Sequence, residues 1–354
     1  MTSNRPTNSR RIAGASPRAR VVLTVVCGVV ALSLSEWIAR IAGPTDRVAI
    51  ALLAADSADH PFEGARFALD PDLTFRPINR KTRDEETGTW TNAFDRDAPP
   101  GVTRLLFIGD SVTRRGTFVD AIQERLGAGF ECWNAGVEAY NTVQEVMLLE
   151  RRNLAIKPDH VVLTFHINDY LASPTAFVDA DGALVVCSFG HEPFRVDREM
   201  FSRWHLFRLL TWPWRARLGS VPDRDEHRQQ IDDSLARLKE LSQEHGFALT
   251  VLIHPMLTHR PRWKAKEIDS HKWVRRTLRR QGIQEVDLWP VMVHAVEAGV
   301  DMNDLREKPN DTSHPSARMG ELIADEVIAT WRREGKYTPA EDRPSIDLAP
   351  AGAR

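Results

Sequence analysis

The sequence predicts an α/β protein with a mainly parallel, five-stranded sheet covered by helices on both faces, preceded by an N-terminal transmembrane helix. Three observations carry this. From Val102 onward, short apolar β-rich runs alternate with amphipathic helical stretches, the pattern of crossover units joining parallel strands. Polar residues with chemical potential fall where the apolar runs end, and in such sheets sites gather at the carboxyl ends of the strands. Ahead of all this, an uncharged run from Val21 to Ser35 follows a terminus that holds Arg5, Arg10, Arg11, Arg18 and Arg20 and no acid.

The chain's 354 residues suit one large domain or two modest ones. Hydrophobic residues make up 42% and charged residues 27%, an ordinary globular balance. A net charge of -2 sets up no field that recruits nucleic acid. Cys27 lies in the apolar run, so only Cys132 and Cys187 are available for pairing in the globular part, and spacing alone does not support the pair. No zinc-type cysteine or histidine cluster appears, and no cofactor is expected.

Residues 1–20 read as a basic cytoplasmic terminus and 21–42 as a signal anchor. The uncharged run alone reaches only about 22 Å of helix. The apolar character resumes with Trp37, Ile38, Ala39 and Ile41, and the segment to Ala42 is then long enough to span the inner membrane. Trp37 and Arg40 would sit at the far interface, and the arginine-rich side stays cytoplasmic, which places everything after Gly43 on the periplasmic side. The competing reading is a cleaved signal peptide, with Ser33-Leu34-Ser35 as the cleavage site. Both readings export the rest of the chain.

Residues 43–100 read as a stalk or extension with a few short strands and one short helical stretch, Val48 to Ala55. The main domain covers 101–335. VTRLLFIGD is its first strand, and TFVDAIQERLG a helix with Phe118, Ile122 and Leu126 on one face and Gly127 as its stop. FECWNAG is the second strand and TVQEVMLLERRN the second helix, with Val143, Val146, Met147 and Leu149 or Glu150 marking the face boundary. HVVLTFHIND follows as third strand, FALTVLIHP as fourth and IQEVDLW as fifth, with the basic helix HKWVRRTLRRQG between the last two. HPSARMGELIADEVIATWRREG closes the domain. An insertion at about 171–230 breaks the alternation: a hairpin turning at Asp181-Gly182, then an aromatic and basic stretch, FSRWHLFRLLTWPWRARL. Residues 336–354 read as a disordered tail.

The strand ends form a constellation: Gly109-Asp110-Ser111, Asn134-Ala135-Gly136, His166-Ile167-Asn168-Asp169, and, before the last helix, Asp311-Thr312-Ser313-His314-Pro315. Acyl transfer needs such a set. Serine is a weak nucleophile until a base takes its proton. His314 is positioned for that, and Asp311, three residues earlier, can hold its tautomer. An oxyanion needs preorganised donors, which the Ser111 N–H, the Gly136 N–H and the Asn168 amide can supply. Asp110, His166, Asp169, Arg114 and His254 are further candidates for lining the substrate site.

The four blocks GDSV, NAG, IND and DTSHP, in this order over about residues 102–333, resemble the SGNH, or GDSL-like, hydrolase superfamily. The resemblance implies a flavodoxin-like three-layer α/β/α sandwich, no metal, and a serine esterase with Ser111 as nucleophile, His314 as base, Asp311 as its partner, and Gly136 and Asn168 completing the oxyanion hole. His166 stands where the third block usually has glycine, and GDSV replaces the leucine form. With the anchor, the stalk and the insertion, the chain resembles a membrane-anchored bacterial branch acting on O-acetyl esters of exported carbohydrate. An O-acetyltransferase and a non-catalytic glycan-binding protein are the alternatives.

Blander readings stand beside these. Ser111 could cap the following helix. Asp110 would suit a haloacid-dehalogenase-type phosphatase, but Val112 stands where a second aspartate is needed. His254 rivals His314 as base, without an aspartate three residues before it. Arg114 and Arg115 could bind an anion or be solvated. Trp204, Trp212 and Trp214 could stack on sugar rings or pack the insertion.

Overall fold

A computed structural model describes residues 16–42, 67–70, 72–77, 87–90, 94, 97, 99–169, 175–178, 184–187, 200, 203–207, 209–210 and 224–337. The Val48–Ala55 stretch, the Asp181-Gly182 turn, Trp212, Trp214 and residues 338–354 lie outside them. Two compact units emerge: residues 1–48 with 193–217, and residues 49–192 with 218–354.

In the first unit, α1 (Pro17–Ala42) is a single helix. Its Pro17–Ile41 portion, with a mean hydropathy of 2.1 in its most apolar window, is long and apolar enough to cross a membrane.

The second unit holds a five-stranded parallel sheet of β3 (Thr103–Gly109), β4 (Phe130–Asn134), β5 (His160–His166), β8 (Ala248–His254) and β9 (Glu285–Asp287), in the spatial order β4-β3-β5-β8-β9. Ranked by chain order this reads 2-1-3-4-5, the flavodoxin-like arrangement, whose switch point lies between the first and third strands. The period-2 alternation of strand side chains divides the core in two. Leu105, Phe107, Val162 and Leu252 pack with α3 (Thr117–Leu126), α7 (Trp289–Glu297) and α8 (Ala317–Arg333). Leu106, Ile108, Val161, Leu163, Val251 and Ile253 pack with α4 (Thr142–Arg151), α5 (Arg224–His245) and α6 (Ala265–Gln281). The result is the expected three-layer sandwich.

Three elements depart from the sequence reading. Helix α5 begins within the segment read as an insertion and packs Ile231, Leu235, Leu238 and Leu241 into the core. Its high charge masks this stripe in the sequence. In α4 the buried face includes Gln144, Glu145 and Leu148, because Asn141 caps the helix and Gln144 closes a capping box, which sets the rotation of the first turn. The hairpin β1 (Phe67–Asp70) and β2 (Thr74–Pro77), in the segment read as a stalk, packs on the domain: Gln144 Nε2 donates to the Leu73 carbonyl at 2.7 Å, and the Tyr140 hydroxyl donates to the Phe75 carbonyl. The predicted second hairpin is present as β6 (Thr175–Val178) paired antiparallel with β7 (Leu184–Cys187). Cys132 is buried, its pKa pushed up by burial and by nearby Asp120. Tyr337, inside the segment read as a tail, meets Phe130 and Trp331 edge to face.

Candidate active site

Parallel register brings the strand ends together. Phe107 lies beside Asn134, Gly109 beside Thr164, and His166 beside His254. Ser111, Gly136 and Asn168 each stand two residues past the end of β3, β4 and β5, on neighbouring strands astride the switch point.

At the end of β3 the chain turns directly into the short helix α2 (Ser111–Arg114), capped by Asp110, whose side chain accepts from Val112 N–H at 2.8 Å. The turn is tight. A Cβ on Gly109 would lie 2.2 Å from Thr113 Oγ1, and one on Gly136 would lie 2.3 Å from the Arg114 backbone nitrogen. Glycine is therefore required at both places for close approach.

The turn before α8 holds the histidine. Asp311 Oδ1 accepts from the N–H groups of Ser313 at 2.9 Å and His314 at 3.0 Å. Asp311 Oδ2 lies 2.7 Å from His314 Nδ1, and His314 Nε2 lies 2.9 Å from Ser111 Oγ, across 203 residues of sequence. The loop is fastened to its surroundings by Leu257 N–H donating to the Thr312 carbonyl at 2.7 Å and by Glu307 N–H donating to the His314 carbonyl at 3.0 Å. Ser316 caps α8 through Met319 N–H. Burial opposes ionisation of Asp311, but the His314 and Ser313 amides and the His314 ring outweigh it and hold its pKa below the ordinary value. An ionised Asp311 fixes the proton on Nδ1 and leaves Nε2 as acceptor for the serine hydroxyl.

The Gly136 N–H donates to Asn134 Oδ1 at 2.9 Å, while Asn134 Nδ2 donates to the Thr113 carbonyl at 2.8 Å. Asn134, which the sequence reading passed over, thus clamps the second strand end to the α2 turn. Asn168 is half-buried, its Oδ1 buried without a hydrogen-bond partner.

Of the remaining candidates, Asp110, His166, Asp169 and His254 are almost fully buried. His166 Nδ1 is 3.5 Å from Asp110 Oδ2, and its ring meets His254 edge-on at 5.2 Å. Thr142 Oγ1 donates to Asp169 Oδ2 at 2.9 Å. Glu145, on α4, joins this cluster and was not foreseen, since its neighbours in sequence mark it as a solvent position. Burial, then the charges of Asp169 and Asp110, raise its pKa well above the carboxylate range. Burial and Asp110 do the same to Asp169. Burial, with His166 and His314 nearby, keeps His254 neutral, and both its ring nitrogens lack hydrogen-bond partners. The serine faces His314 instead. Arg114 spends its guanidinium on Glu138 at 2.7 Å and on the Trp90 ring at 4.7 Å. Glu307, Asp311 and His314 bring ligand atoms within 4.8 Å of one another, the described residues best placed to hold a cation. Asp311 and His314 are already committed to each other, and Arg115 lies 3.4 Å from Glu307. Trp204 belongs to the unit that contains α1.

Fold and site together define a class: an α/β protein presenting serine, histidine and aspartate as one hydrogen-bonded chain at the carboxyl edge of its sheet. No family model and no curated protein matches the chain. Among solved structures it is similar to the acetyl xylan esterase AlAXEase, at 14% identity and a TM-score of 0.43 over 64% of this chain and 98% of that one. It is similar to Axe2, an acetylxylan esterase from Geobacillus stearothermophilus, at 15% identity and a TM-score of 0.43 over 65% and 95%. It is also similar to a lipase/acylhydrolase from Enterococcus faecalis, at 16% identity and a TM-score of 0.40 over 67% and 98%. The chemistry rests on the site's own geometry, not on these likenesses.

Proposed function

We propose that the protein is a membrane-anchored serine esterase that cleaves acyl esters, O-acetyl esters of exported carbohydrate in particular, through an acyl-enzyme. The observation that carries the chemistry is the chain Asp311–His314–Ser111, with contacts of 2.7 and 2.9 Å. His314 Nε2 takes the proton of Ser111 as Oγ attacks the ester carbonyl carbon. The Ser111 N–H and the Asn168 amide stabilise the resulting oxyanion. The Gly136 N–H joins them as the oxyanion, a stronger acceptor than the Asn134 amide oxygen, draws it away. The imidazolium then protonates the departing alkoxide, leaving the acyl group on Ser111. A water that gives its proton to His314 attacks that ester, and the carboxylic acid leaves as Ser111 regains its proton. The carbohydrate acetyl ester as substrate rests on the four-block resemblance joined to the anchor. The extracytoplasmic placement rests on the arginine-rich terminus before α1.

The test is turnover of p-nitrophenyl acetate by the detergent-solubilised full chain beside Ser111→Ala and His314→Ala. Each variant is expected to lose at least about 10³-fold in kcat with an unchanged melting temperature. Parental turnover by Ser111→Ala would remove the serine from the mechanism. A fluorophosphonate that labels the parent but not Ser111→Ala, even where the small ester is a poor substrate, would identify the nucleophile directly.

A further inference from the structure

Within the unit that contains α1, the chain returns to the helix at residues 203–206. Glu36 joins the two. It lies six residues before the end of α1 and is only 8% exposed. Its Oε1 accepts from His205 N–H at 2.9 Å, its Oε2 from Leu206 N–H at 2.8 Å, and Arg40 Nε approaches Oε1 at 3.2 Å. The Arg40 guanidinium also donates to the Arg203 carbonyl at 3.2 Å. A carboxylate at the end of a membrane span is costly unless its lone pairs are occupied. Here both oxygens are used, and the use fixes the 203–207 backbone against the helix.

Toward the N-terminus from this lock, Val29, Leu32 and Ser33 of α1 and Met200, Trp204, Leu206, Phe207 and Leu210 line a groove of about 390 Å³. Ser33 supplies the one hydroxyl, and the other lining side chains are apolar or aromatic. From Val29 to Glu36 the helix rises about 10 Å, so the returning segment runs alongside the span to about the depth at which interfacial elements sink into a bilayer. Met200 is 47%, Trp204 48% and Leu210 61% exposed, too apolar a set to face water on a soluble surface.

We infer that the segment carrying Met200, Trp204, Leu206, Phe207 and Leu210 forms a second membrane-seated element, and that a lipid acyl chain fills the groove between these residues and α1. The inference rests on reading α1 as a bilayer span. The occupant follows from the groove's walls: Val29 and Leu32 belong to the span itself, so the groove opens at hydrocarbon depth, where acyl chains are the available apolar filler. The polar lock at Glu36 sits toward the end of the helix, where interfacial water and headgroups begin, and Trp204 suits the boundary.

Photolabelling tests this. The full chain is reconstituted in phosphatidylcholine vesicles doped with a phosphatidylcholine that carries a diazirine on its acyl chain, illuminated, and digested for adduct mapping by mass spectrometry. Adducts are expected on peptides from both 17–41 and 200–210. Glu36→Ala should lower the 200–210 yield several-fold and leave the α1 yield unchanged. Labelling of α1 alone, whether the groove is closed by a second copy or by water-facing repacking, overturns the inference and keeps the anchor. Labelling of neither overturns the anchor, and the inference with it.

Discussion

At the amino end of the sheet Arg104 is buried, yet its Nε reaches Glu131 Oε2 at 2.8 Å, its NH1 reaches the Ile156 carbonyl at 2.9 Å, and its own N–H donates to Asp159 at 2.7 Å. His160, on the same edge, uses both ring nitrogens, on Tyr337 and Thr250, and burial together with Lys336 pushes its pKa down to about 3. At the carboxyl end the counterparts go unanswered. Both ring nitrogens of His166 and His254, both carboxyl oxygens of Glu145, and the hydroxyls of Thr113 and Thr164 are buried without hydrogen-bond partners. Each such group costs about 1–3 kcal/mol. Chains concentrate these violations at sites and satisfy their polar groups elsewhere. Gln284 Nε2 and Glu285 Oε2, at the start of β9, share this state, but the larger set lies at the carboxyl end, and the difference teaches that the polarity of Arg104 and His160 serves register while that of the carboxyl end serves chemistry.

Three substitutions would break or sharpen that contrast. The largest effect belongs to the carboxyl end: Asp311→Asn should lower kcat on p-nitrophenyl acetate by about 10⁴-fold, because an amide does not hold the His314 tautomer. Since the folded pKa of Asp311 is depressed, its contribution to stability is present above the unfolded value and is lost as pH falls through the lowered one. Stability above about pH 5 should therefore show no inflection from Asp311. An inflection that vanishes in the variant would contradict the assignment.

Next comes the amino end. Glu131→Ala strands the Arg104 charge and should cost about 3–5 kcal/mol in urea unfolding, while kcat/KM of the folded enzyme stays at the parental value. A loss confined to kcat/KM would reverse the roles given to the two ends.

The smallest effect is at Glu145. Its raised pKa means that the folded state keeps a proton the unfolded state gives up above 4.5, so stability falls as pH rises from there. Glu145→Gln cannot lose that proton. The variant's gain in urea midpoint over the parent should be near zero at about pH 4 and grow toward about pH 7. A gain that is the same at both ends of that range would show that Glu145 is not held protonated.

Much of the fold was legible. The strand runs between Val102 and Trp289 are short, near-continuous apolar stretches, as strands buried on both faces must be, their flanking helices carry apolar residues at threes and fours, and the five strands lie where those runs fall. Helix α5 was not legible, because charged residues surround its core isoleucine and three core leucines and dilute the stripe. Of the site, Ser111, His314 and Asp311 were legible as strand-end and turn residues, and the short Asp-x-x-His span made their local pairing readable. The burial of Asp110, His166, Asp169 and His254 was not, since a polar residue at a strand end looks the same whether it faces the cleft or the layer below. Asn141-x-x-Gln144 could have been read as a capping box, and it would have rotated α4 so that Glu145 faced inward.

By itself the sequence determined the local matters: which runs are strands, where each ends in a polar residue, that Asp311 reaches His314 within one turn, and that residues 21–42 are mostly apolar over bilayer length. Period and spacing encode these within a dozen residues. Only the tertiary structure decided the strand order, the approach of His314 to Ser111 across 203 residues, the capture of the Gly136 N–H by Asn134, and the return of His205 and Leu206 to Glu36. Each of those joins groups brought together by packing two layers of helices onto one twisted sheet, or by a long return of the chain. Hydrophobic burial drives such packing without direction, so its outcome is written in no short stretch of the chain.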